Sequence, residues 1–454
     1  MDELDQIFWA ESVAVIGASK NPSKLGHIIL RNLLEGGFGG EIFPVNLSGG
    51  NILGLPVYRN LAEIPNPIDI AIFVIPARFV PEMIEAAAEK EAKGAVVISG
   101  GFREAGNDLL EADLVQKAKE HGVRVIGPNC QGFNFIPNKL CASWPLITSE
   151  GPVAVISQSG TVAAALAGWL QDDEIGCSGV VSLGNQADLC ETDFLDFFIR
   201  DPSTKVITMY IEGVKEGRRF LEVAQSSPKP ILVLKSGRTP GGKKAAMTHT
   251  RSLMGKDTVF TGVCQQAGLV RVSTVEELYD FAKGMVRIPP ASGKRIMVVS
   301  SSGGAGILAV DKAESLDLEI PILQSEDKDV FPKEELPPNM IINNPLDLTG
   351  DALADHFQKV VKICSSRNLA DAYLLIFGDP IPGAADAVEG LKAHLDETFC
   401  VCYLGGGEVE KTEVKKMNRY GIPVYATPER AVSALAETLT WAKEQSVNKE
   451  RMDK

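Results

Sequence analysis

Hydrophobic residues recur along the chain in short runs, each followed by a turn of small residues and then by a helical pattern. This unit opens at residues 12–19 (SVAVIGAS), 152–160 (PVAVISQSG) and 295–306 (RIMVVSSSGGAG). Continuous Val and Ile runs that end in Gly or Ser turns are typical of buried parallel strands leading into helices. The pattern therefore predicts an α/β protein.

Further apolar runs predict strands between and after these openings. They lie at residues 41–46, 68–76, 94–99, 123–128, 206–213, 230–237, 372–378, 398–406 and 422–426. Amphipathic stretches such as 81–93 and 109–122 predict helices between the strands. Strands that alternate with helices imply parallel sheets with right-handed crossovers.

We predict three doubly wound units from this alternation. The first is Rossmann-like and spans residues 1–147, and two flavodoxin-like units follow at 148–287 and 291–454. The Pro/Gly/Ser-rich segment 287–294 is the predicted linker, and the polar end of the chain is a predicted solvated tail.

Composition narrows the classes of partner. The 454 residues carry a formal net charge of −14, which argues against nucleic acid or an anionic membrane as the main partner. The acidic start MDELDQIFWAES lacks the pattern of a signal peptide, and no apolar run is long enough to span a bilayer. The eight cysteines are scattered without a CxxC pair, so we expect a cytoplasmic protein with structural thiols and no metal site.

The first turn, residues 17–26, has small residues at a helix start. The spacing G-x-G-x-x-G is absent, and Asn46 ends the second strand where a nicotinamide-binding unit has an acidic residue. A redox cofactor is therefore not expected. A turn of this kind with Lys24 nearby suits a phosphate group. The alternatives are an unliganded turn and a surface lysine.

Three more turns follow strands of the same predicted sheet, at residues 74–77, 98–102 and 126–132. Ligands of open α/β sheets bind at the carboxyl ends of strands, so these turns should line one crevice. Cys130 in the last turn is either a nucleophile or a small buried residue, and the sequence shows no base next to it.

The turn Ser157–Gly160 (SQSG) opens the helix of the second unit. Its unpaired N–H groups and the helix dipole favour an anion, and an ordinary helix cap is the alternative.

Residues 235–250 (KSGRTPGGKKAAMTHT) carry His249 in a polar, Gly-rich context that we interpret as a loop. A neutral imidazole can accept and release a phosphoryl group near neutral pH. Glu212 ends a strand of the same unit, where a carboxylate can orient an imidazole; a surface carboxylate is the alternative.

These motifs, taken together and in order, resemble the α subunit of ADP-forming (NDP-forming) acyl-CoA synthetases, relatives of the succinyl-CoA synthetase α subunit. The resemblance runs over nearly the whole chain. It includes residues 13–26, 37–46, 126–132, 156–162, 181–188, 201–213, 229–242, 301–311 and 343–352.

The resemblance implies roles for particular residues. His249 would be the phosphorylated histidine, and Glu212 the carboxylate that stabilises it. The implied CoA site consists of Gly17, Ala18, Ser19, Lys24, Gly26, Asn46, Ile75, Pro76, Ser99, Gly100, Pro128, Asn129 and Cys130. The implied phosphate site consists of Ser157, Gln158, Ser159, Gly160, Gly184 and Asn185.

The family also implies substrates and a partner. CoA, acyl-CoA and phosphate would bind this chain. ADP or ATP, with Mg, would bind an ATP-grasp β subunit in an α2β2 assembly, because the three units leave no room for that module. The acid, and the choice of ADP or GDP, stay open.

One position departs from the family. The usual S-H-T-G reads T-H-T-R here, so Arg251 replaces a glycine. Arg251 either pairs with the phosphohistidine or blocks its path. The alternative function is thus a non-catalytic CoA-binding or regulatory paralogue.

Overall fold

The computed structural model describes residues 3–250, 255–289, 291, 293–392 and 398–452, and for 247–250 and 445–452 it describes the backbone alone. The chain forms two compact units. One contains residues 1–172 and 176–278, and the other contains residues 173–175 and 279–454.

The first sheet lies in the first unit and has five parallel strands in the order β2-β1-β5-β6-β7. Its elements are α1 (Glu3–Phe8), β1 (Ser12–Ile16), α2 (Leu25–Glu35), β2 (Glu41–Val45), the hairpin β3 (Gly50–Ile52) and β4 (Leu55–Val57), β5 (Ile70–Phe73), α3 (Val80–Ala88), β6 (Gly94–Val97), α4 (Asp108–Glu120) and β7 (Arg124–Ile126). Every residue of β1, β5 and β6 is buried, as expected of strands covered by helices on both faces.

The second sheet of this unit has seven strands in the order β14-β13-β12-β10-β11-β8-β9. Its elements are β8 (Gly132–Phe135), β9 (Leu140–Ser143), β10 (Glu150–Ser157), α5 (Gly160–Asp172), β11 (Cys177–Ser182), α6 (Glu191–Arg200), β12 (Val206–Ile211), α7 (Gly217–Gln225), β13 (Ile231–Lys235), α8 (Pro240–Thr250), α9 (Asp257–Ala267) and β14 (Val270–Val272). The hairpin of β8 and β9 pairs antiparallel with β11, and the other strands are parallel.

The second unit contains one parallel sheet in the order β16-β15-β17-β18-β19. Helix α10 (Val275–Arg287) begins in the first unit and continues into the second from residue 279. The other elements of the second unit are β15 (Ile296–Ser300), α11 (Gly303–Glu314), α12 (Ser325–Lys328), β16 (Leu346–Asp347), α13 (Ala354–Ser366), β17 (Ala372–Phe377), α14 (Ala384–Lys392), β18 (Thr398–Tyr403), α15 (Gly407–Arg419), β19 (Val424–Tyr425) and α16 (Pro428–Met452).

The parallel strands of all three sheets follow one order. Counted along the chain within each sheet, it is 2-1-3-4-5, the order of flavodoxin-like folds. The order reverses beside the first strand, so each sheet has a crevice at the carboxyl ends of its first and third strands. These pairs are β1 with β5, β10 with β12, and β15 with β17. The prediction of doubly wound parallel sheets is confirmed.

An aromatic cluster fills the core between the first two sheets. The Phe8 ring of α1 lies 5.0 Å from the rings of Phe133 and Phe135 in the hairpin and 4.3 Å from Phe197 of α6. Large aromatic rings in edge and stacked contact bury much apolar area, so the hairpin is held between α1 and α6. This hairpin belongs to the second sheet although it precedes residue 147, and the predicted domain ranges stay predictions.

Candidate active site

The turn after β1 depends on two glycines. Gly17 has a φ of +96°, and a Cβ there would lie 2.4 Å from the Val74 carbonyl oxygen at the end of β5. A Cβ on Gly26 would lie 2.1 Å from the Gly17 carbonyl oxygen. Side chains are thus excluded where the turn, β5 and α2 meet, and backbone groups form the floor of the first crevice.

Polar groups of this turn bond mainly to one another. The Ser19 hydroxyl accepts the Asn21 N–H at 3.1 Å, and the Ser19 carbonyl oxygen lies 2.9 Å from Nδ1 of His27. Lys24 is the N-cap residue of α2. Its side chain makes no capping hydrogen bond and is exposed. The lysine is therefore accessible to a bound phosphate.

Asn46 holds the turn in place. Its Nδ2 donates to the carbonyl oxygen of Ala18 at 2.8 Å, and its Oδ1 accepts the N–H and the hydroxyl of Ser48 at 2.9 and 2.7 Å. These bonds engage both ends of the amide. Asn46 thus holds the turn after β1 in position, a role that its place at the end of β2 did not indicate.

The next two strand ends are tied together. The Ser99 hydroxyl donates to the Ile75 carbonyl oxygen at 2.5 Å, next to the exposed Pro76. The Asn129 N–H donates to the Ser99 carbonyl oxygen at 3.0 Å, and a Cβ on Gly100 would lie 3.1 Å from Asn129 Oδ1. The predicted CoA loops after β5, β6 and β7 therefore lie side by side.

The loop after β7 also contacts the loop after β11. The N–H of Asn185 donates to the Pro128 carbonyl oxygen and that of Ala187 to the Gly127 carbonyl oxygen, both at 2.8 Å. Gly184 has a φ of +58°, and a Cβ there would lie 2.2 Å from the Pro128 carbonyl oxygen. The two predicted sites are thus joined through their backbones.

Cys130 is buried in this loop. Its Sγ donates weakly to the Val97 carbonyl oxygen at 3.4 Å, and burial raises the pKa of the thiol to about 12. The thiolate is the nucleophilic form, so this thiol is unreactive near neutral pH. Of the two alternatives for Cys130, the geometry favours the buried structural residue.

A polar network supports Asn185, and sequence reasoning missed its members. Asn185 Nδ2 donates to Glu104 Oε2 at 2.5 Å and to Glu111 Oε2 at 2.8 Å, while Arg103 donates to the Asn185 carbonyl oxygen at 2.7 Å. Burial opposes ionisation of Glu104, but hydrogen bonds from Asn185 and the Gly101 N–H outweigh it and lower its pKa. The Asn185 amide is thus held from several sides and is not free to turn toward a ligand.

The turn after β10 is closed by its own serines. The Ser157 hydroxyl donates to the Ser159 carbonyl oxygen at 2.6 Å and accepts the Ser159 N–H at 3.1 Å. The Gln158 N–H donates to the Tyr210 carbonyl oxygen at 3.0 Å. Helix α5 then begins at Gly160, and the first N–H groups of a helix have no intrahelical acceptor. The turn therefore presents donors suited to a phosphate.

Glu212 directly follows β12, the strand that pairs with β10 beside the serine turn. Its N–H bonds to Gln158 Oε1, and its carbonyl oxygen accepts Lys235 Nζ at 3.1 Å, which fixes the backbone beside the serine turn. The side chain is 8% exposed, and Oε2 is buried without a hydrogen-bond partner among the residues that the structure describes. A buried carboxylate oxygen without a donor is costly, so this atom is suited to an N–H from a further group.

His249 lies in the last turn of α8, so the expected loop around it is wrong up to Thr250. Pro240 opens this helix at the position where its fixed φ is favourable, and the Lys and Ala residues that follow are good helix formers. The His249 side chain and the whole of Arg251 lie outside the described residues, so the contact predicted between His249 and Glu212 stays a prediction.

Within the described ranges, no group of three or more His, Cys, Asp or Glu side chains is arranged to hold a metal ion. No helix in that same part of the chain is both long and apolar enough to cross a bilayer.

Comparisons with known proteins agree with this architecture. Residues 11–135 match the family described as CoA binding domain, and residues 150–285 match the succinyl-CoA ligase like flavodoxin domain. The alpha subunit of acetate–CoA ligase [ADP-forming] I from Pyrococcus furiosus is 37% identical over 99% of this chain and 100% of its own length. The chain belongs to this family of ADP-forming ligase alpha subunits.

Other family members also match over nearly the whole of this chain. The alpha subunit of the P. furiosus isoenzyme II is 32% identical over 97% of this chain and 98% of its own length. The Archaeoglobus fulgidus acetate–CoA ligase [ADP-forming] I is 37% identical over 95% of this chain, which spans only 63% of that longer relative. A family structure, an acetyl-coenzyme A synthetase 1 from Ca. Korarchaeum cryptofilum in complex with phosphate and ADP, superimposes with a TM-score of 0.90 at 36% identity and 98% coverage of both chains.

Proposed function

We propose that this chain is the catalytic α subunit of an NDP-forming acyl-CoA synthetase, with His249 as its phosphoryl carrier. The observation that carries the proposal is the buried, unpartnered Oε2 of Glu212 beside the serine turn. A carboxylate that accepts the N–H of an imidazole fixes the ring and stabilises its cationic, phosphorylated form. The family membership supports the same role.

The proposed cycle has three transfers. A phosphate oxygen attacks the thioester carbonyl carbon, the C–S bond breaks, and CoA leaves as the thiol after taking the proton of the phosphate. An imidazole nitrogen of His249 then attacks phosphorus, and the P–O bond to the acyl group breaks to release the carboxylate. In the last step an ADP oxygen attacks the phosphohistidine, the P–N bond breaks, and ATP forms.

The residues of this chain would bind and orient the reactants of the first two steps. CoA would lie on the loops after β1, β5, β6 and β7, with Lys24 near a phosphate group. Phosphate would bind at the start of α5, where the N–H groups can stabilise charge as it develops on the phosphoryl oxygens. Asn46 and Asn185 would hold these loops rather than contact ligand, since their amides are bonded within the chain.

The last transfer needs a partner. We propose an ATP-grasp β subunit, in an α2β2 assembly, that holds ADP or ATP and Mg. The relatives named as alpha subunits, and the longer relative of which this chain spans 63%, support a second module outside this sequence. We also propose that the enzyme works in the cytoplasm, in keeping with its scattered and buried cysteines.

The test is transfer of label from inorganic phosphate. The chain is incubated with acetyl-CoA and labelled phosphate, with and without the partner subunit, and we expect acid-labile, base-stable label on the protein. His249→Asn should remove the label. His121→Asn, at the exposed end of α4, is the matched control and should keep it. A wild-type chain that takes up no label even with its partner would favour the regulatory alternative raised by Arg251.

A further inference from the structure

Glu104 lies at the end of the loop that follows β6. It belongs to the short 3-10 helix Arg103–Ala105, and the loop before this helix contains Gly100 of the predicted CoA site. Glu104 Oε1 accepts the N–H of Gly101 at 2.5 Å and that of Phe102 at 3.1 Å. One oxygen of this carboxylate therefore holds the backbone of a predicted CoA loop.

The other oxygen of Glu104 reaches the loop that follows β11. Glu104 Oε2 accepts Asn185 Nδ2 at 2.5 Å, although the two residues are 81 positions apart. Asn185 and Gly184 belong to the predicted phosphate site, and both loops lie in the first unit. A single carboxylate is thus hydrogen-bonded to both predicted sites.

Asn185 is a firm anchor for this carboxylate. Its second Nδ2 proton goes to Glu111 Oε2 at 2.8 Å, its backbone N–H donates to the Pro128 carbonyl oxygen at 2.8 Å, and the residue is 5% exposed. A residue bonded on so many sides cannot follow Glu104 if the loop after β6 shifts. The position of that loop therefore depends on the hydrogen bond between Glu104 and Asn185.

Two glycines make the loop after β6 dependent on such bonds. Gly100 and Gly101 are adjacent, Gly101 has a φ of +108°, and Gly100 is exposed. Because glycines have no Cβ, the pair can adopt many backbone conformations, and hydrogen bonds from the neighbouring N–H groups select one of them. Glu104 thus selects one conformation of a backbone segment that is proposed to contact CoA.

This double role needs a carboxylate at position 104. Both oxygens of an ionised carboxylate accept hydrogen bonds, whereas a side-chain amide has one acceptor and one donor group. Glu104→Gln would therefore place an NH2 group against an N–H donor, either of the loop or of Asn185. Burial raises the pKa of Glu104, but hydrogen bonds from Asn185 and the Gly101 N–H outweigh burial and lower it, which keeps the carboxylate ionised near neutral pH.

We propose that Glu104 is a positioning residue for the first transfer of the cycle, because it holds the loop after β6 against the loop after β11 and so keeps the thioester carbon within reach of phosphate. The inference rests on the proposed function and adds a residue that acts where the two substrates meet. Glu104 would contact neither substrate. A displacement of about 1 Å between reactants can lower a rate by about 10²-fold, so Glu104 should affect the rate more than the binding.

The test separates the first transfer from the second. Labelling of His249 is followed in a single turnover, in the complex with the partner subunit, from two donors. Acetyl-CoA with labelled phosphate requires both transfers, whereas acetyl phosphate labelled at phosphorus enters after the first. Glu104→Gln should lower the rate from saturating acetyl-CoA and phosphate about 10-fold or more. The half-saturating concentrations should stay within about threefold of wild type, and the rate from acetyl phosphate within about twofold.

Glu63→Gln is the matched control. Glu63 also lies in a short 3-10 helix, Leu61–Glu63, and its carboxylate accepts the Arg59 N–H at 2.9 Å and Asn60 Nδ2 at 3.4 Å. These bonds stay within its own loop, so this substitution should leave both labelling rates unchanged. Glu104→Ala removes the bonds to both loops without adding a donor, and it should show the same selective loss as Glu104→Gln.

The outcomes separate this inference from the proposed function. If Glu104→Gln is labelled from acetyl-CoA and phosphate at the wild-type rate, or loses as much with acetyl phosphate, the positioning role is wrong and the proposed function stands. The positioning role is also wrong if Glu63→Gln shows the same selective loss. If wild type is labelled from neither donor, both proposals fail.

Discussion

Two serine turns in different sheets have nearly the same hydrogen bonds. In the turn after β15, the Ser300 hydroxyl donates to the Ser302 carbonyl oxygen at 2.8 Å and accepts the Ser302 N–H at 3.0 Å, as Ser157 does with Ser159. The Ser301 N–H donates to the neighbouring strand at 3.0 Å, as the Gln158 N–H does. Each turn leads into a helix that begins with glycine.

The groups that face the two turns differ in charge. The neutral Gln131 amide lies against Gly160, whereas a Cβ on Gly303 would lie 2.7 Å from Asp347 Oδ2. The start of a helix attracts an anion, and in the second unit a carboxylate of the chain already lies there. The serine turn therefore belongs to the fold, and the two turns differ in the charge of the side chain that faces the start of the helix.

The largest effect should come from Glu212, the buried carboxylate beside the first turn. Glu212→Gln keeps the backbone bonds to Gln158 and Lys235 but removes the charge that we propose stabilises the cationic imidazole of His249. Labelling of His249 from acetyl-CoA and phosphate should fall by about 10²-fold or more. Glu216→Gln, in the same loop, is the control. A loss of similar size in both variants would show a structural effect instead.

A smaller effect should follow when the first turn is made to resemble the second. Gln131→Glu places a carboxylate against the start of α5, where it competes with phosphate. We expect labelling to fall about 30-fold, close to 2 kcal/mol, mainly through a higher KM for phosphate. Asp347→Asn, the reverse change at the other turn, should leave labelling unchanged. An unaltered KM in Gln131→Glu would mean that phosphate binds elsewhere.

The smallest effect concerns the thiol next to Gln131. Because burial raises the pKa of Cys130 to about 12, the folded protein holds it as a thiol, and its alkylation by iodoacetamide should stay slow up to about pH 9. Cys130→Ala should keep labelling within about threefold and lower the free energy of unfolding by about 1–2 kcal/mol, measured with urea. Fast alkylation of native protein, together with lost labelling, would restore the nucleophile alternative.

The strands and the serine turns could be predicted because their signals are local. Val and Ile runs indicate buried strands, and S-x-S-G after such a run indicates a helix start. The position of the hairpin of β8 and β9 was not predicted, because its pairing with β11 depends on packing between distant residues such as Phe8 and Phe133.

The candidate-site residues also differ in whether a local sequence signal marks them. Gly17 and Gly26 could be singled out because they lie in a turn of small residues at a predicted helix start. The structure shows why glycine is needed there, since the backbone is too close for a side chain. Asn46 was assigned to ligand, although its amide is engaged within the chain, and Glu104 gave no signal because its partner Asn185 is far away in sequence. The glycines and polar residues near His249 suggested a loop, and the run after Pro240 nevertheless favoured a helix.

The backbone bonds between the loops after β7 and β11 have a consequence for rate. They lie within one compact unit and fix the loop proposed to bind CoA against the loop of Gly184 and Asn185, which is proposed to be part of the phosphate site. If CoA and phosphate bind as proposed, the attack of phosphate on the thioester would be effectively unimolecular, with effective molarities of about 10⁵ M or more. The loops are ordered once, when the protein folds, and each substrate loses its translational entropy on binding, before the chemical step.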